Sequence, residues 1–125
     1  MILDTNALSD LLSELPEIER YIVSAHGLYI PSIVLGEYRY GVRNSRFRMQ
    51  IEEKVTDLLQ DVAVLAVESS TSNFYADVRS ELKRAGTPIP ENDVWIAALV
   101  RQHQMPLLSR DAHFDAVERI VRLSW

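Results

Sequence analysis

Four acidic residues stand where short apolar runs end or where helical patterns begin. Asp4 and Asp111 each come just after an apolar run. Asp93 stands at the start of a helical pattern, and Glu37 lies about one turn into another. Carboxylates that gather without a cation repel one another, whereas hard divalent cations such as Mg²⁺ bind carboxylate oxygens together with substrate phosphates. If the four acids meet, the expected chemistry is phosphoryl transfer or phosphodiester hydrolysis.

Each acid also has an ordinary structural explanation. Asp4, Asp93 and Asp111 all lie near predicted helix starts, where an aspartate caps free backbone N–H groups and suits the positive end of the helix dipole. Glu37, taken alone, fits the solvent-facing side of a helix. Both interpretations stay open for each single residue, and only the joint pattern favours a metal site.

Short apolar runs alternate with helical patterns, which predicts an α/β fold with a mainly parallel sheet and helices on both faces. The run at 62–67 is apolar throughout, with three β-branched valines, and predicts the best strand of the chain. We see no repeat and no linker, and we expect a single domain over residues 1–125. The predicted strands are 1–3, 28–31, 62–67, 106–109 and 120–123, and the predicted helices are 5–14, 18–27, 32–42, 47–59, 72–85 and 91–103.

This alternation predicts where the acids lie. In an open parallel sheet, ligands bind beyond the carboxyl ends of the strands, where strand-to-helix loops converge. Asp4 directly follows the first strand, Asp111 follows the Leu107-Leu108 strand, and Asp93 opens a helix. Glu37 lies near the start of the helix after strand 28–31 and can point towards the same edge. We therefore expect the four acids to meet there.

The composition limits the possible ligands and partners. The chain has no Cys, so a metal must be held by oxygen or imidazole. A net charge of −5 argues against a protein that binds nucleic acid with its whole surface. No apolar run approaches the ~18 residues of a membrane span, and a charge at Asp4 comes too early for a signal peptide. We therefore expect no membrane association and a cytoplasmic location.

Several other residues suggest chemistry but have better structural explanations. His26, His103 and His113 share no metal-ligand spacing, and we treat all three as structural or surface residues, although His113 is next to the presumed site. Trp95 is expected to pack in the core rather than to stack on a base. A Gly-rich phosphate loop and a Ser-His-Asp order with a nucleophile elbow are both absent, which argues against nucleotide-cofactor and triad hydrolase sites.

The four acids lie within four short motifs. The motifs are Leu3-Asp4-Thr5-Asn6, Gly36-Glu37, Asn92-Asp93-Val94-Trp95-Ile96-Ala97-Ala98 and Ser109-Arg110-Asp111-Ala112-His113-Phe114. In this order and at these intervals they resemble the PIN-domain ribonucleases, and within them the VapC-type toxins of bacterial and archaeal toxin–antitoxin pairs. Each motif alone is weak, but the four together are specific and cover essentially the whole chain.

The resemblance implies a PIN-like α/β/α sandwich in which the four acids coordinate Mg²⁺ or Mn²⁺. It also implies that four polar neighbours orient the carboxylates through hydrogen bonds, although ordinary turn and cap roles explain each of them equally well. These neighbours are Thr5, Asn6, Asn92 and Ser109.

The implied activity is metal-dependent endoribonuclease cleavage of a structured RNA, such as a tRNA or a ribosomal RNA, which inhibits translation. We expect a cognate antitoxin that inserts an Arg or a Lys into the acidic cluster, contact with DNA only through that antitoxin, and a homodimer. The alternative is a non-catalytic PIN-like module that binds RNA or protein. Loss of one acid would have favoured that alternative, but all four are present.

Positive charge is densest at Arg39, Arg43, Arg46 and Arg48, within one or two helical turns of Glu37. These residues could give a polyanion a positive rim beside the acidic centre, and Arg39 and Arg43 are the candidate RNA-binding residues. A solvated helix face and loop explain the same run equally well.

Overall fold

The computed structural model describes residues 1–125 as five short strands and six α-helices in alternation. The strands are β1 Ile2–Leu3, β2 Tyr29–Pro31, β3 Ala63–Leu65, β4 Leu107–Leu108 and β5 Arg122–Leu123. The helices are α1 Thr5–Leu12, α2 Pro16–Ser24, α3 Ser32–Val42, α4 Arg48–Asp61, α5 Thr71–Ala85 and α6 Glu91–His103, and a 3₁₀ helix, Ala112–Ala116, joins β4 to β5. Every predicted strand and helix is therefore present, with small shifts at the ends.

All five strands are parallel and form one sheet in the order β3-β2-β1-β4-β5. From β1 the chain builds outward in one direction through β2 and β3, and then returns to the other side of β1 with β4. The carboxyl ends of β1 and β4 therefore border the crevice where the strand order reverses, which is the usual ligand site of such sheets. The predicted α/β/α sandwich with a parallel sheet is confirmed.

Strand β1 is short but lies at the centre of the sheet. Ile2 and Leu3 are completely buried, and both neighbouring strands pair with their backbone. The N–H of Ile2 donates to the carbonyl of Pro106 at 2.9 Å, and the N–H of Asp4 donates to the carbonyl of Leu108 at 3.2 Å. These bonds fix the position at which Asp4 leaves the sheet.

Helix α6 has more buried residues than any other helix. Its residues Ile96, Ala97, Ala98, Leu99 and Val100 are all buried, so this helix lies inside the molecule rather than on its surface. A helix that is packed on most sides has little freedom to move. The start of α6, which carries one of the four acids, is therefore held in place by the core.

Strand β3 differs from its prediction. The apolar run at 62–67 forms only three residues of strand, at an edge of the sheet, where Val64 is 46% exposed and Val67 is 39% exposed. A β-branched run favours a strand but does not determine its position in the sheet, because that depends on the order in which the helices cross.

Two further features concern the helices. Gly86 follows α5 with a φ of 69°, the left-handed conformation that glycine adopts without a Cβ penalty. None of the helices combines the length and the apolar character needed to cross a bilayer.

Candidate active site

Asp4 joins the end of β1 to the start of α1 and is only 3% exposed. Its Oδ1 accepts a hydrogen bond from the N–H of Ala7 at 2.8 Å, and its Oδ2 accepts one from the Ser109 hydroxyl. Burial raises the pKa of Asp4 to about 6, and the charges of Asp111 and Asp93 raise it further, against the effect of the two hydrogen bonds. Asp4 therefore caps α1 and also belongs to the acidic cluster.

Asp93 is the third residue of α6, and no side chain caps this helix. Its carboxylate pairs instead with the His113 ring, whose Nδ1 lies 3.5 Å from Asp93 Oδ2. Burial, and next the charge of Asp111, raise the pKa of Asp93. The capping explanation that the sequence left open is therefore wrong for Asp93.

Asp111 lies at the start of the 3₁₀ helix, beyond β4. Its Oδ1 accepts a hydrogen bond from the N–H of His113 at 2.9 Å, so it caps that turn. Its own N–H donates to Ser109 Oγ at 2.9 Å. The Ser109 hydroxyl thus connects two acids, because it donates its proton to Asp4 and accepts from the backbone of Asp111.

Glu37 lies at the midpoint of α3, and both of its carboxylate oxygens accept hydrogen bonds. Thr5 Oγ1 donates to Glu37 Oε2 at 2.5 Å, and Asn92 Nδ2 donates to Glu37 Oε1 at 2.8 Å. The charge of Glu37 also contributes to the raised pKa of Asp93. The helices α1, α3 and α6 therefore meet at this carboxylate.

Asn6 acts on the backbone of the site rather than on an acid. Its Oδ1 accepts a hydrogen bond from the N–H of Arg110 at 3.0 Å, which ties the loop after β4 to α1. Each of the four polar residues expected to support the site thus holds either a carboxylate or the loop that carries Asp111. Their role towards a bound metal remains a prediction.

None of the four acids forms an ion pair with a Lys or an Arg; Arg122 pairs with Asp115, and its charge acts on Asp111 and Asp4 only at longer range. Asp93 and Asp111 pair only with His113, and Asp4 and Glu37 form no ion pair. Asp93, Asp111 and His113 each offer a donor atom within 4.8 Å of the other two. Oxygen donors in this excess, with one nitrogen, are chemically suited to a divalent cation.

The family model for the PIN domain matches residues 1–120. The chain belongs to the PIN domain family. This match confirms the resemblance that the four sequence motifs indicated.

Two relatives and one solved structure match this PIN domain over nearly their whole length. It is 26% identical to ribonuclease VapC2 of Haemophilus influenzae in an alignment of 124 residues that covers 98% of this chain and 92% of the relative. It is 28% identical to toxin FitB of Neisseria gonorrhoeae in an alignment of 138 positions that covers 100% of this chain and 98% of the relative. The solved structure of DNA-bound VapBC from Salmonella typhimurium matches with a TM-score of 0.88 at 25% identity, over 99% of this chain and 96% of that one.

Sequence reasoning missed one residue of the site in this PIN domain. His113, treated as structural or surface, has its Nδ1 3.0 Å from Asp111 Oδ1 and 3.5 Å from Asp93 Oδ2. The available signal was its place two residues after an aspartate that caps a turn, since such a cap draws the following backbone towards the carboxylate. His26 and His103 are exposed, as predicted.

The candidate arginines lie apart from the acids. Arg39 Nε is 3.2 Å from Glu52 Oε2 on α4, and Arg43 is exposed just after α3. Neither forms an ion pair with the four acids, and RNA binding by these arginines remains a prediction. The prediction that Trp95 packs in the core is wrong: its ring is half-buried in a stack on Tyr75, with 3.9 Å between ring centroids, outside the core cluster.

Proposed function

We propose that this PIN domain is a divalent-metal-dependent endoribonuclease that acts as the toxin of a toxin–antitoxin pair. The observation that carries this proposal is the convergence of four carboxylates beyond β1 and β4, none of which forms an ion pair with a Lys or an Arg. The similarity to ribonuclease VapC2 and to toxin FitB supports the nuclease activity and the toxin role.

Asp4, Glu37, Asp93 and Asp111 would hold Mg²⁺ or Mn²⁺. A cation in this position supplies positive charge to a phosphodiester under in-line attack and lowers the pKa of a nearby water. Each carboxylate oxygen retains acceptor capacity beyond the hydrogen bonds described, because an ionised carboxylate accepts about four.

The remaining polar residues keep these carboxylates in place before any ligand arrives. Ser109 donates to Asp4 Oδ2, while Thr5 and Asn92 hold the two oxygens of Glu37. Carboxylates held in this way need little reorganisation when a substrate binds. The buried position of Asp4 excludes water from one side of the cluster.

The substrate is a structured RNA, such as a tRNA or a ribosomal RNA, whose cleavage stops translation. The acids cannot attract a polyanion by themselves, so the cation and a positive rim must offset their charge. Arg39 and Arg43 are the candidates for that rim.

The partner is an antitoxin that places an Arg, or a Lys, among the four acids. An acidic pocket without an internal counter-ion is a receptor for a guanidinium, which pairs bidentately with carboxylates and keeps its proton. The inserted side chain would displace the metal or block its access. This PIN domain would contact DNA only through the antitoxin, and it would form a homodimer.

A cell-free translation assay tests the toxin role. Wild-type protein should stop translation and cut one or a few RNAs. Asp93→Asn should do neither, because it removes a carboxylate of the proposed metal site. The variant should stay folded, because Asp93 caps no helix. Asp57→Asn, at an exposed position on α4, is the matched control and should act like the wild type.

Translation arrest by Asp93→Asn at the wild-type level would contradict the proposal. Arrest of that kind without RNA cleavage would favour the alternative, a PIN-like module that acts by binding alone.

A further inference from the structure

The His113 ring lies against two of the four acids and nothing else polar. The same ring atom, Nδ1, is 3.0 Å from Asp111 Oδ1 and 3.5 Å from Asp93 Oδ2. The ring forms no hydrogen bond or ion pair with any other residue. One nitrogen is therefore directed at the point where two carboxylates from different elements meet.

Local structure holds the ring in this place. The backbone N–H of His113 donates to Asp111 Oδ1, and the next residue, Phe114, is 1% exposed in the core. The 3₁₀ helix is thus fixed at one side by a cap and at the other by a buried aromatic ring. The His113 side chain itself is 54% exposed, so a cation can reach Nδ1 from solvent.

We propose that His113 is a nitrogen ligand of the metal site and that it shifts the preference of this PIN domain from Mg²⁺ towards Mn²⁺. This inference rests on the proposed metal-dependent nuclease function and adds one donor to its four acids. Asp93, Asp111 and His113 offer three atoms within 4.8 Å of one another, which is close enough to meet on one ion. Mg²⁺ favours oxygen ligands, whereas imidazole binds transition metals well and Mn²⁺ accepts it more readily than Mg²⁺ does.

The competing explanation is that His113 is only a counter-ion for Asp93 and Asp111. The two explanations give opposite results when the ring is removed. A protonated imidazole offers no lone pair and must make way for a cation, so its removal would strengthen metal binding. A neutral imidazole that ligates the metal offers one lone pair, so its removal weakens binding.

Binding of Mn²⁺ and of Mg²⁺ to the full chain, measured by calorimetry at pH 8, distinguishes the two, because loss of a ligand weakens binding whereas loss of a mere counter-ion leaves it unchanged or strengthens it. We expect His113→Ala to weaken Mn²⁺ binding about tenfold or more, and to weaken Mg²⁺ binding by less than about threefold. His103→Ala is the matched control, because His103 is exposed and lies at the other end of α6 from Asp93, roughly 15 Å away by helix rise.

Pulsed electron paramagnetic resonance of bound Mn²⁺ gives a second readout that is independent of RNA cleavage. The wild type and His103→Ala should show coupling of Mn²⁺ to a ¹⁴N nucleus, and His113→Ala should lose it while it still binds Mn²⁺ through its carboxylates. Mn²⁺ bound to the wild type without nitrogen coupling, or tighter Mn²⁺ binding by His113→Ala, would overturn this inference alone. A wild-type protein that binds neither cation would overturn the proposed function as well.

Discussion

Asp4 combines two roles that sequence reasoning treated as alternatives. Its Oδ1 caps α1 through Ala7, and its Oδ2 faces Ser109 within the acidic cluster. An aspartate has two oxygens, so a capping role does not exclude a chemical one. The types and positions of the four acids could therefore be predicted from the sequence, but their individual hydrogen bonds could not.

The His113 contact was beyond such a prediction for a physical reason. Its ring reaches the site because the 3₁₀ helix turns it towards α6, where Asp93 lies. That turn depends on the packing of Phe114 in the core, which is a tertiary contact. Spacing along the chain carries no information about it.

The raised pKa of Asp4 predicts that ionisation of this residue destabilises the folded protein. The folded state holds the proton with a pKa of about 6 against an ordinary 3.8, so it binds more protons than the unfolded state between these values. The contribution of Asp4 to stability therefore falls as pH rises through this range. In EDTA, Asp4→Asn should be more stable than the wild type at pH 7.5 by about 1–3 kcal/mol, because Asn keeps a capping oxygen without the charge.

Guanidinium unfolding of both proteins at pH 4.5 and pH 7.5 measures this difference, with Asp57→Asn as the control. The advantage of Asp4→Asn should shrink strongly at pH 4.5. If Asp4→Asn were less stable than the wild type by the same amount at pH 4.5 and at pH 7.5, the hydrogen bonds of the Asp4 carboxylate would outweigh the cost of burying its charge.

At the level of elements, helices were easier to predict than strands. Helices α3 and α6 have the predicted bounds, because apolar residues at helical spacing mark the buried face directly. Strand β3 is shorter and more exposed than its β-branched sequence suggested. The order of the strands depends on the helical crossovers between them, and the sequence of one strand does not specify which strands lie beside it. The position of the acids at one edge still followed correctly, since it requires only parallel strands.

The loop after β4 carries Asp111, and α1 anchors it from outside the acidic cluster. Asp10 Oδ2 is 2.6 Å from Arg110 Nη2 and accepts a hydrogen bond from the Trp125 indole at 3.1 Å. We expect Asp10→Ala to lower stability by about 1–2 kcal/mol, because it removes an ion pair to a half-exposed Arg110 and the hydrogen bond from Trp125. The same change should weaken Mn²⁺ binding by up to about tenfold, because residues that orient a ligand affect metal affinity.

Calorimetry with Mn²⁺ measures this effect, and Asp57→Asn again provides the baseline. If Asp10→Ala lowered stability but left the Mn²⁺ affinity unchanged, the ion pair of Asp10 and Arg110 would stabilise the fold without positioning Asp111.

The whole molecule carries a net charge of −5, so RNA must find a local positive region. Glu52 already offsets the charge of Arg39, whereas Arg43 is exposed. We therefore expect Arg43→Ala to weaken RNA binding and to lower the salt dependence of that binding by roughly one phosphate contact, and Arg39→Ala to do so less.

RNA affinity at several salt concentrations measures the slope for each variant. Arg84→Ala, which removes an exposed arginine near the end of α5, should leave it unchanged. If the Arg43 and Arg84 variants were indistinguishable, the arginines after α3 would belong to the solvated surface.

RNA cleavage by the purified chain, with and without divalent metal, tests the central claim most directly. None of Asp4, Glu37, Asp93 and Asp111 forms an ion pair with a Lys or an Arg that could offset the charge developing on a phosphodiester. The wild type should therefore cut RNA in Mg²⁺ or Mn²⁺, stop in EDTA and recover when metal is restored, while folded Asp93→Asn stays inactive throughout. Robust cleavage by highly purified wild-type protein in EDTA, or by Asp93→Asn in metal, would contradict this account.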